Sequence, residues 1–452
     1  MTSRRFVLGL VAVFLAALGL RLGMAEAFVG LSAPPDANAN SDQVDYEAFA
    51  SQVARGQGYT LEDGTPTARR PPGTSFTLAP VYAAFGRDWA IGRAWFALVS
   101  AATCVLIAIA GRLAVGPAKG AAVGLVAGGL LAVLPEHAYY AAHFLSETPA
   151  GFYTAAAIAL TLAAIGKPGW LLHTAAGLAW AGAVYCRPQT LLALPVVGAV
   201  AMLPYVRARL RGASAERATA SGWVRTFALQ AAVIALCVTP WFARNAVVMD
   251  KATFSTVAGR TFWGAHNEET FTDPAVMGDW VKTSSLPASK RLPKGEVAHD
   301  QAAFQEGLAA IARHEAKLPE LMLRKVQRAV NPIRETPNQI VRVVFSASGL
   351  VVLPLALVGA WMLLRKPGRR SALAVIAAPL LAFGVTTLLF YGSPRFRDAA
   401  APAYALLAAL PVAGLLRAVF VRSRQSPGDV EPGDASITLP ADEAQATVRR
   451  AA

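Results

Sequence analysis

The chain has 452 residues, 55% hydrophobic and 15% charged, with a mean hydropathy of +0.42. A soluble domain carries about a quarter charged residues, and several apolar runs reach the roughly 20 residues that cross a bilayer. A soluble enzyme is thereby excluded in favour of an all-α polytopic membrane protein. The net charge of +14 would suggest nucleic acid in a soluble chain. Here the basic residues sit mostly in short loops between apolar runs, so topology explains them and no nucleic-acid partner is expected.

The N-terminus, MTSRRFVLGLVAVFLAALGLRLGMAEAF, has two arginines, an apolar stretch and small residues that resemble a cleavage site. A secretory or twin-arginine signal is one reading; the length of the apolar stretch favours an uncleaved first span. Further spans are expected at 89–111, 119–135, 144–166, 169–186, 188–206, 222–242, 343–364, 371–391 and 399–421, about ten transmembrane helices in all. With Arg4 and Arg5 inside, alternation puts RLAVGPAK (112–119), the Lys167 turn, the basic stretch 205–225, RKPGRR (365–370) and the Arg422 tail in the cytoplasm, as the positive-inside rule requires. The same alternation gives two extracytoplasmic loops, 31–88 and 243–342, and short outer connections at 135–147, 186–189 and 391–398.

Within the second loop, residues 301–330 read as amphipathic helices broken near Pro319, lying on the membrane surface or covering a cavity. Residues 1–421 thus form one transmembrane domain. The Pro-, Gly- and acid-rich remainder, 422–452, reads as a disordered cytoplasmic tail. Cys104, Cys186 and Cys237 lie in or at the ends of spans without CxxC spacing, which suits packing and gives no disulfide framework. Neither a P-loop nor a GxGxxG fingerprint is present, so no nucleotide cofactor is expected.

The first outer loop opens with NSDQVDYEAFASQVARGQGYT (40–60). Asn40 or Ser41 can cap a helix, and Gly56 and Gly58 can end it. At about 100° per residue, Tyr46, Phe49 and Val53 share a stripe with Asp42, while Asp45 sits at its margin and Glu47 points to the opposite side, toward solvent. An inward carboxylate is costly unless it is paired, bound to a ligand or used in chemistry. The plainer alternative is that Asp42 only favours the helix N-terminus.

Several arginines depart from the positive-inside pattern: Arg69, Arg70, Arg187, Arg244, Arg395 and Arg397 all fall on or near the outer face. Each alone fits snorkelling or an ion pair. Converging on one cavity rim, they suit a phosphate ligand, which guanidiniums grip bidentately. PEHAYYAAHFLSETP (135–149) brings His137, His143 and Glu147 to one face if its helix continues, with His143 and Glu147 four apart. That pair could hold a metal or a substrate hydroxyl, although structural hydrogen bonding is the simpler use and two ligands do not make a metal site. Outer-face acids and phosphate-gripping arginines together suggest transfer of a sugar from a polyprenyl phosphate. A carboxylate takes the acceptor's proton while the arginines stabilise the departing phosphate.

These residues resemble the bacterial GT-C glycosyltransferases, the superfamily of the protein O-mannosyltransferases and the aminoarabinose transferases, over most of residues 5–421. The resemblance rests on ordered strings: SDQVDYEAFASQVARGQGY, RRPPGTSFTLAPVYAAFG (69–86), HFLSETP (143–149), CRPQTLLALP (186–195), TPWFARN (239–245) and SPRFRDAAAPAYALLAA (393–409). It implies an inverting transferase in the bacterial inner membrane, acting at the extracytoplasmic face. The donor would be a polyprenyl-phosphate-linked sugar, and the acceptor a lipid, glycan or protein of the cell envelope. It also implies that Asp42 is the catalytic carboxylate. The family's second acid is replaced by Gln43, so Asp45 stands as a partial substitute. Glu147 and His143 match positions for metal or acceptor contacts, and Arg70, Arg244, Arg395 and Arg397 match donor-phosphate positions. Members differ in their need for a divalent cation, so metal dependence stays open. The competing classes are a transporter or lipid flippase, and a scaffold that has lost its chemistry.

Overall fold

In a bilayer every backbone N–H and C=O must be satisfied within its own segment, which leaves helices as the solution for apolar runs of this length. The computed structural model of the protein describes residues 3–38, 40–165, 169–194, 198, 214–334, 336 and 338–422. In chain order the helices are α1 (Ser3–Phe28), α2 (Ser41–Ala54), α3 (Gly73–Phe85), α4 (Trp89–Val115), α5 (Pro117–Val133), α6 (Pro135–Tyr140), α7 (Glu147–Ala164), α8 (Trp170–Cys186) and α9 (Ser214–Val248). There follow α10 (Ala258–Ala265), α11 (Glu268–Thr272), α12 (Glu296–Arg313), α13 (Leu318–Val330), α14 (Gln339–Leu364), α15 (Arg370–Leu389), α16 (Pro394–Asp398) and α17 (Ala401–Arg422). Among the described residues there is no strand; Thr60 and Pro66 form an isolated bridge.

The protein is an all-α polytopic membrane protein. Six helices among the described residues are long and apolar enough to span: α1, α4, α14 and α17 with the apolar parts of α9 and of the segment ending in α15. The expected count of ten is not reached by that measure. α5, α7 and α8 are 17, 18 and 17 residues long. Most of the expected span 188–206, the Lys167 turn, much of the basic stretch 205–225 and all but the first residue of the tail 422–452 lie outside the described residues.

Met1–Ala413 is one unit, and the residues from Gly414 on are a second. The core of the first is a cluster of small and aliphatic side chains from α1, α4, α5, α7, α14, α15 and α17. Between α4 and α5 the packing depends on Gly120, Gly124 and Gly128, one per turn on α5. A Cβ on Gly124 would sit 2.2 Å from the Ala108 carbonyl oxygen, and one on Gly120 2.4 Å from that of Arg112. Such a small-residue stripe lets membrane helices approach backbone to backbone, where dispersion replaces the missing hydrophobic drive.

Arg21 then ties α1 to the end of α5. Its guanidinium has no exposed surface and donates to the carbonyls of Leu131 (3.2 Å) and Ala132 (2.9 Å) and to Ser100 Oγ (2.7 Å). Those carbonyls belong to the last turn of α5, which has no helical partners of its own, and a cation there also favours the helix dipole.

The amphipathic stretch is two helices, α12 and α13. They part at His314–Lys317, with Pro319 in the first turn of α13, where a proline is tolerated. α13 packs against α15 and against the short α16. Its Lys325 is fully buried, 2.7 Å from His266 Nε2, and donates to the Leu388 carbonyl at 3.3 Å.

Candidate active site

Five separate stretches of chain deliver charges to one place. α2 begins where Asn40 Oδ1 accepts from the Asp42 N–H at 3.0 Å, which fixes Asp42 in the first turn. α3 begins after Arg69-Arg70-Pro-Pro, and Gly73 lies so close to the end of α8 that a Cβ there would be 2.5 Å from the Cys186 nitrogen. That approach brings the Arg70 segment beside Arg187, which follows Cys186. α7 starts at Glu147, and α16 starts at Pro394, with Ser393 Oγ accepting from the Arg395 N–H at 3.3 Å.

The result is a chain of alternating charge. Arg69 Nη1 is 3.1 Å from Asp45 Oδ1, and Arg70 Nε is 2.9 Å from Asp45 Oδ2. Arg70 Nη2 reaches Asp42 Oδ1 at 2.8 Å, and Arg395 Nη1 reaches Asp42 Oδ2 at 3.0 Å. Arg395 Nε also donates to Glu147 Oε1, which Arg187 Nη2 meets at 2.8 Å. Each Asp42 oxygen therefore carries its own guanidinium, and Arg395 bridges two carboxylates on different helices.

Burial works against the charge on Arg70, but Asp42 and Asp45 outweigh it and hold the guanidinium above its ordinary pKa. Arg395 is likewise disfavoured by burial, yet Glu147 and Asp42 raise it well above its usual value. Tyr46 lies in the same field; its burial, modified by Arg70 and Asp42, pushes its phenol up to about 12. Two buried polar atoms in this network, Glu147 Oε2 and Arg187 Nε, have no hydrogen-bond partner. Such orphans are costly. Arg187 also lines a small cleft of about 30 Å³ whose walls mix Thr154, Gln189 and Thr190 with Pro379, Phe383 and Phe396.

Of the residues singled out from sequence, Asp42, Asp45, Arg70, Glu147, Arg187 and Arg395 come together, with Arg69 at one end. Four do not join them by direct contact. The helix does not continue from His143 to Glu147: α6 ends at Tyr140, and turns intervene. His143 is bonded through Nδ1 to the Tyr139 carbonyl at 3.0 Å and lies against that ring, with centroids 4.5 Å apart. His137, expected on the same face, lies 3.1 Å from Ser100 in the Arg21 cluster instead.

Arg244 serves the fold of the first loop, donating to the Thr67 and Tyr59 carbonyls at 2.8 and 2.7 Å and lying over the Trp241 ring. Arg397 donates to the Ala329 and Asn331 carbonyls at 3.2 and 3.3 Å. Glu47 corrects the single-stripe picture of α2. It is 2% exposed, not solvated, and receives Arg87 Nη2 at 2.6 Å and Trp89 Nε1 at 3.1 Å. Gln43 is also buried and donates to the Asp36 carbonyl at 2.8 Å.

Sequence reasoning missed Tyr46 and Tyr391. Burial raises the Tyr391 phenol, which lies within the field of Arg395, Asp42 and Arg187. The only available signal for Tyr391 was its place four residues before Arg395 in the YGSPRFRD connection. A second ion pair, Arg334 to Asp398 at 2.5 Å with the Tyr140 hydroxyl donating to Asp398 at 3.1 Å, was also unforeseen.

Fold and site together define a polytopic helical membrane protein with a partly buried, sign-alternating cluster of acids and arginines. No protein-family model matches the chain, and no curated protein matches it in sequence. Among solved structures it is similar to the oligosaccharyltransferase of Archaeoglobus fulgidus in the apo form, with a TM-score of 0.57, 14% identity, and coverage of 94% of this chain and 52% of that one. The same protein, AglB, in complex with an inhibitory peptide and a dolichol-phosphate matches at a TM-score of 0.54 and 15% identity, over 94% of this chain and 52% of that one. The chain thus spans about half the length of AglB. ArnT from Cupriavidus metallidurans bound to undecaprenyl phosphate aligns over 94% of this chain and 82% of its own at 15% identity, but its TM-score of 0.39 is too low to carry weight. The likeness shows that this chain shares the fold of the matched half of that oligosaccharyltransferase.

One AglB structure is a complex with Zn and sulfate; for this chain the motif resemblance leaves a divalent cation open. The donor set here does not fit one. Guanidinium nitrogens occupy both oxygens of Asp42 and one oxygen of Glu147, and no group of three His, Cys, Asp or Glu side chains converges among the described residues.

Proposed function

We propose that this protein is an inverting glycosyltransferase of the bacterial inner membrane. It moves a sugar from a polyprenyl-phosphate donor to a cell-envelope acceptor, with its site at the extracytoplasmic face. The observation that carries the reading is the bridge Arg70–Asp42–Arg395–Glu147–Arg187 on a GT-C fold. A phosphate competes for the guanidiniums that Asp42 and Glu147 now hold, and forked donors suit its oxygens.

Once the phosphate takes Arg70 and Arg395, the Asp42 oxygens are released to face an acceptor hydroxyl. That hydroxyl oxygen attacks the anomeric carbon from the side opposite the phosphate and gives its proton to Asp42. The bond from the anomeric carbon to the phosphate oxygen breaks, and its electron pair leaves as polyprenyl phosphate, stabilised by the arginines. The sugar leaves with inverted configuration. No comparison favours a transporter.

The test is turnover in proteoliposomes supplied with polyprenyl-phosphate sugars and an envelope extract as acceptor. Polyprenyl phosphate release with glycosylated product is expected from the wild type and lost in Asp42→Asn. Full activity of that variant removes Asp42 as the base, and movement of intact donor without product overturns the reading.

A further inference from the structure

The alternating charges do not stop at Asp45. Arg69, its outermost partner, also lines a cavity of about 670 Å³ built from both long loops and the end of α9. Its basic lining is Arg69, Arg260 and Lys294, with His299 at the rim of the same surface.

The one acid in the lining, Glu296, is fully engaged. It accepts from Thr67 Oγ1 at 2.8 Å, from the Ala68 N–H at 2.9 Å and from Thr256 Oγ1. Those bonds tie the first loop to the start of α12, so the cavity is a built feature rather than a gap between floppy segments. Arg260 is the unusual member. Its Nε is buried without a hydrogen-bond partner, and its guanidinium makes no ion pair. Burial lowers its pKa, Arg70 and Arg69 repel it further, and Asp300 and Asp45 offset part of this. The nearby Asp300 is committed to the Arg260 backbone N–H at 3.0 Å. A half-buried guanidinium among like charges is unfavourable as it stands; an anion in the cavity would relieve it.

We propose that this cavity docks the acceptor and selects one bearing an anionic group, a phosphate or a carboxylate, held by Arg260, Arg69 and Lys294. The assignment rests on the glycosyltransferase reading only for the word acceptor; anion binding here is a separate property. The donor's phosphate has its own arginines at Arg70, Arg395 and Arg187. The cavity lies at the other end of the charge chain, and Arg69 is next in sequence to the Arg70 that holds Asp42. An acceptor anchored there would present its hydroxyl toward Asp42.

The test is equilibrium binding to the purified full chain in detergent, with a short polyprenyl phosphate present to fill the donor site. The probes are inorganic phosphate, glucuronate and neutral glucose. Phosphate or glucuronate is expected to bind and glucose not to. Arg260→Gln is expected to weaken the anion by about tenfold or more, the scale of one charged hydrogen bond, with Arg260→Lys restoring part of it. Unchanged polyprenyl phosphate binding in Arg260→Gln shows that the variant is folded; if it is not, Lys294→Gln carries the same comparison. Phosphate alone points to a phospholipid or phosphoglycan acceptor, and glucuronate alone to an acidic glycan. Anion affinity indifferent to Arg260 and Lys294, or glucose binding as well as the anions, overturns the proposal. Failure of polyprenyl phosphate to bind counts against the proposed function and leaves the anion titration readable.

Discussion

Arg395→Lys isolates geometry from charge. The guanidinium reaches Asp42 at 3.0 Å through Nη1 and Glu147 through Nε, two nitrogens of one rigid fork. An ammonium on a flexible stem meets one carboxylate at a time. The substitution therefore forfeits one charge-assisted hydrogen bond, about 1.5–3 kcal/mol. If the donor phosphate takes the same fork, the same bond is lost to it, and donor kcat/KM falls about 10- to 150-fold at 1.4 kcal/mol per decade. The assay is initial-rate transfer in proteoliposomes over a range of donor concentrations, with thermal unfolding in parallel. A conserved charge should spare the fold more than it spares turnover. Donor kcat/KM within about twofold of wild type, with an unchanged unfolding midpoint, would refute the view that the bridge is what grips the phosphate.

Three further substitutions address the scaffold. Arg21→Leu strips donors from Ser100 and from the last carbonyls of α5, and leaving buried carbonyls unpaired costs about 1–3 kcal/mol; a lower unfolding temperature in detergent is expected, and an equal one contradicts it. Gln43→Glu supplies the acid that the resembled family places there, but it exchanges the amide that donates to the Asp36 carbonyl for a carboxylate facing that oxygen. Loss of stability without gain in turnover is expected, and activity above wild type would show Gln43 to be a deficit. Lys325 is pulled down to about 7 by burial, from an ordinary 10.5. Between those values the unfolded chain holds a proton that the folded chain lacks, so this lysine's contribution to stability rises with pH across the window. Lys325→Met should thus stabilise most near about pH 6.5 and progressively less toward about pH 10, read as the shift in unfolding midpoint.

The all-α class was legible because a bilayer admits few solutions, though the expected ten spans are not reached among the described residues, and the pairing of Asp42 with arginines assigned to the outer face could be anticipated from charges standing where topology disfavours them. The failures share a cause. Glu47 was assigned to solvent on the assumption that α2 buries a single stripe, whereas Gln43, Glu47 and Ser51 are buried along its other side. His143 and Glu147 were joined by a helical spacing that holds only if the helix continues, and the chain turns between them. Arg244 and Arg397 stand at outer-face positions just as Arg395 does, yet they are spent on backbone carbonyls; nothing local distinguishes a guanidinium that binds a loop from one that binds a carboxylate. Gly120, Gly124 and Gly128 are a spacing the sequence displays openly, but its meaning depends on which helix lies opposite.

The alternation of signs also fixes a tally. Arg69, Arg70, Arg395 and Arg187 face Asp45, Asp42 and Glu147, a surplus of one positive charge. The phosphodiester joining a sugar to its lipid carries one negative charge, so a loaded site would be neutral. After transfer the lipid keeps a phosphate monoester of about −1.5 to −2 near neutral pH, but Asp42 has taken the acceptor's proton, so the site stays near neutral until that proton leaves. Only loss of the Asp42 proton tips the balance to the negative side, so release of the spent carrier would be coupled to deprotonation of Asp42.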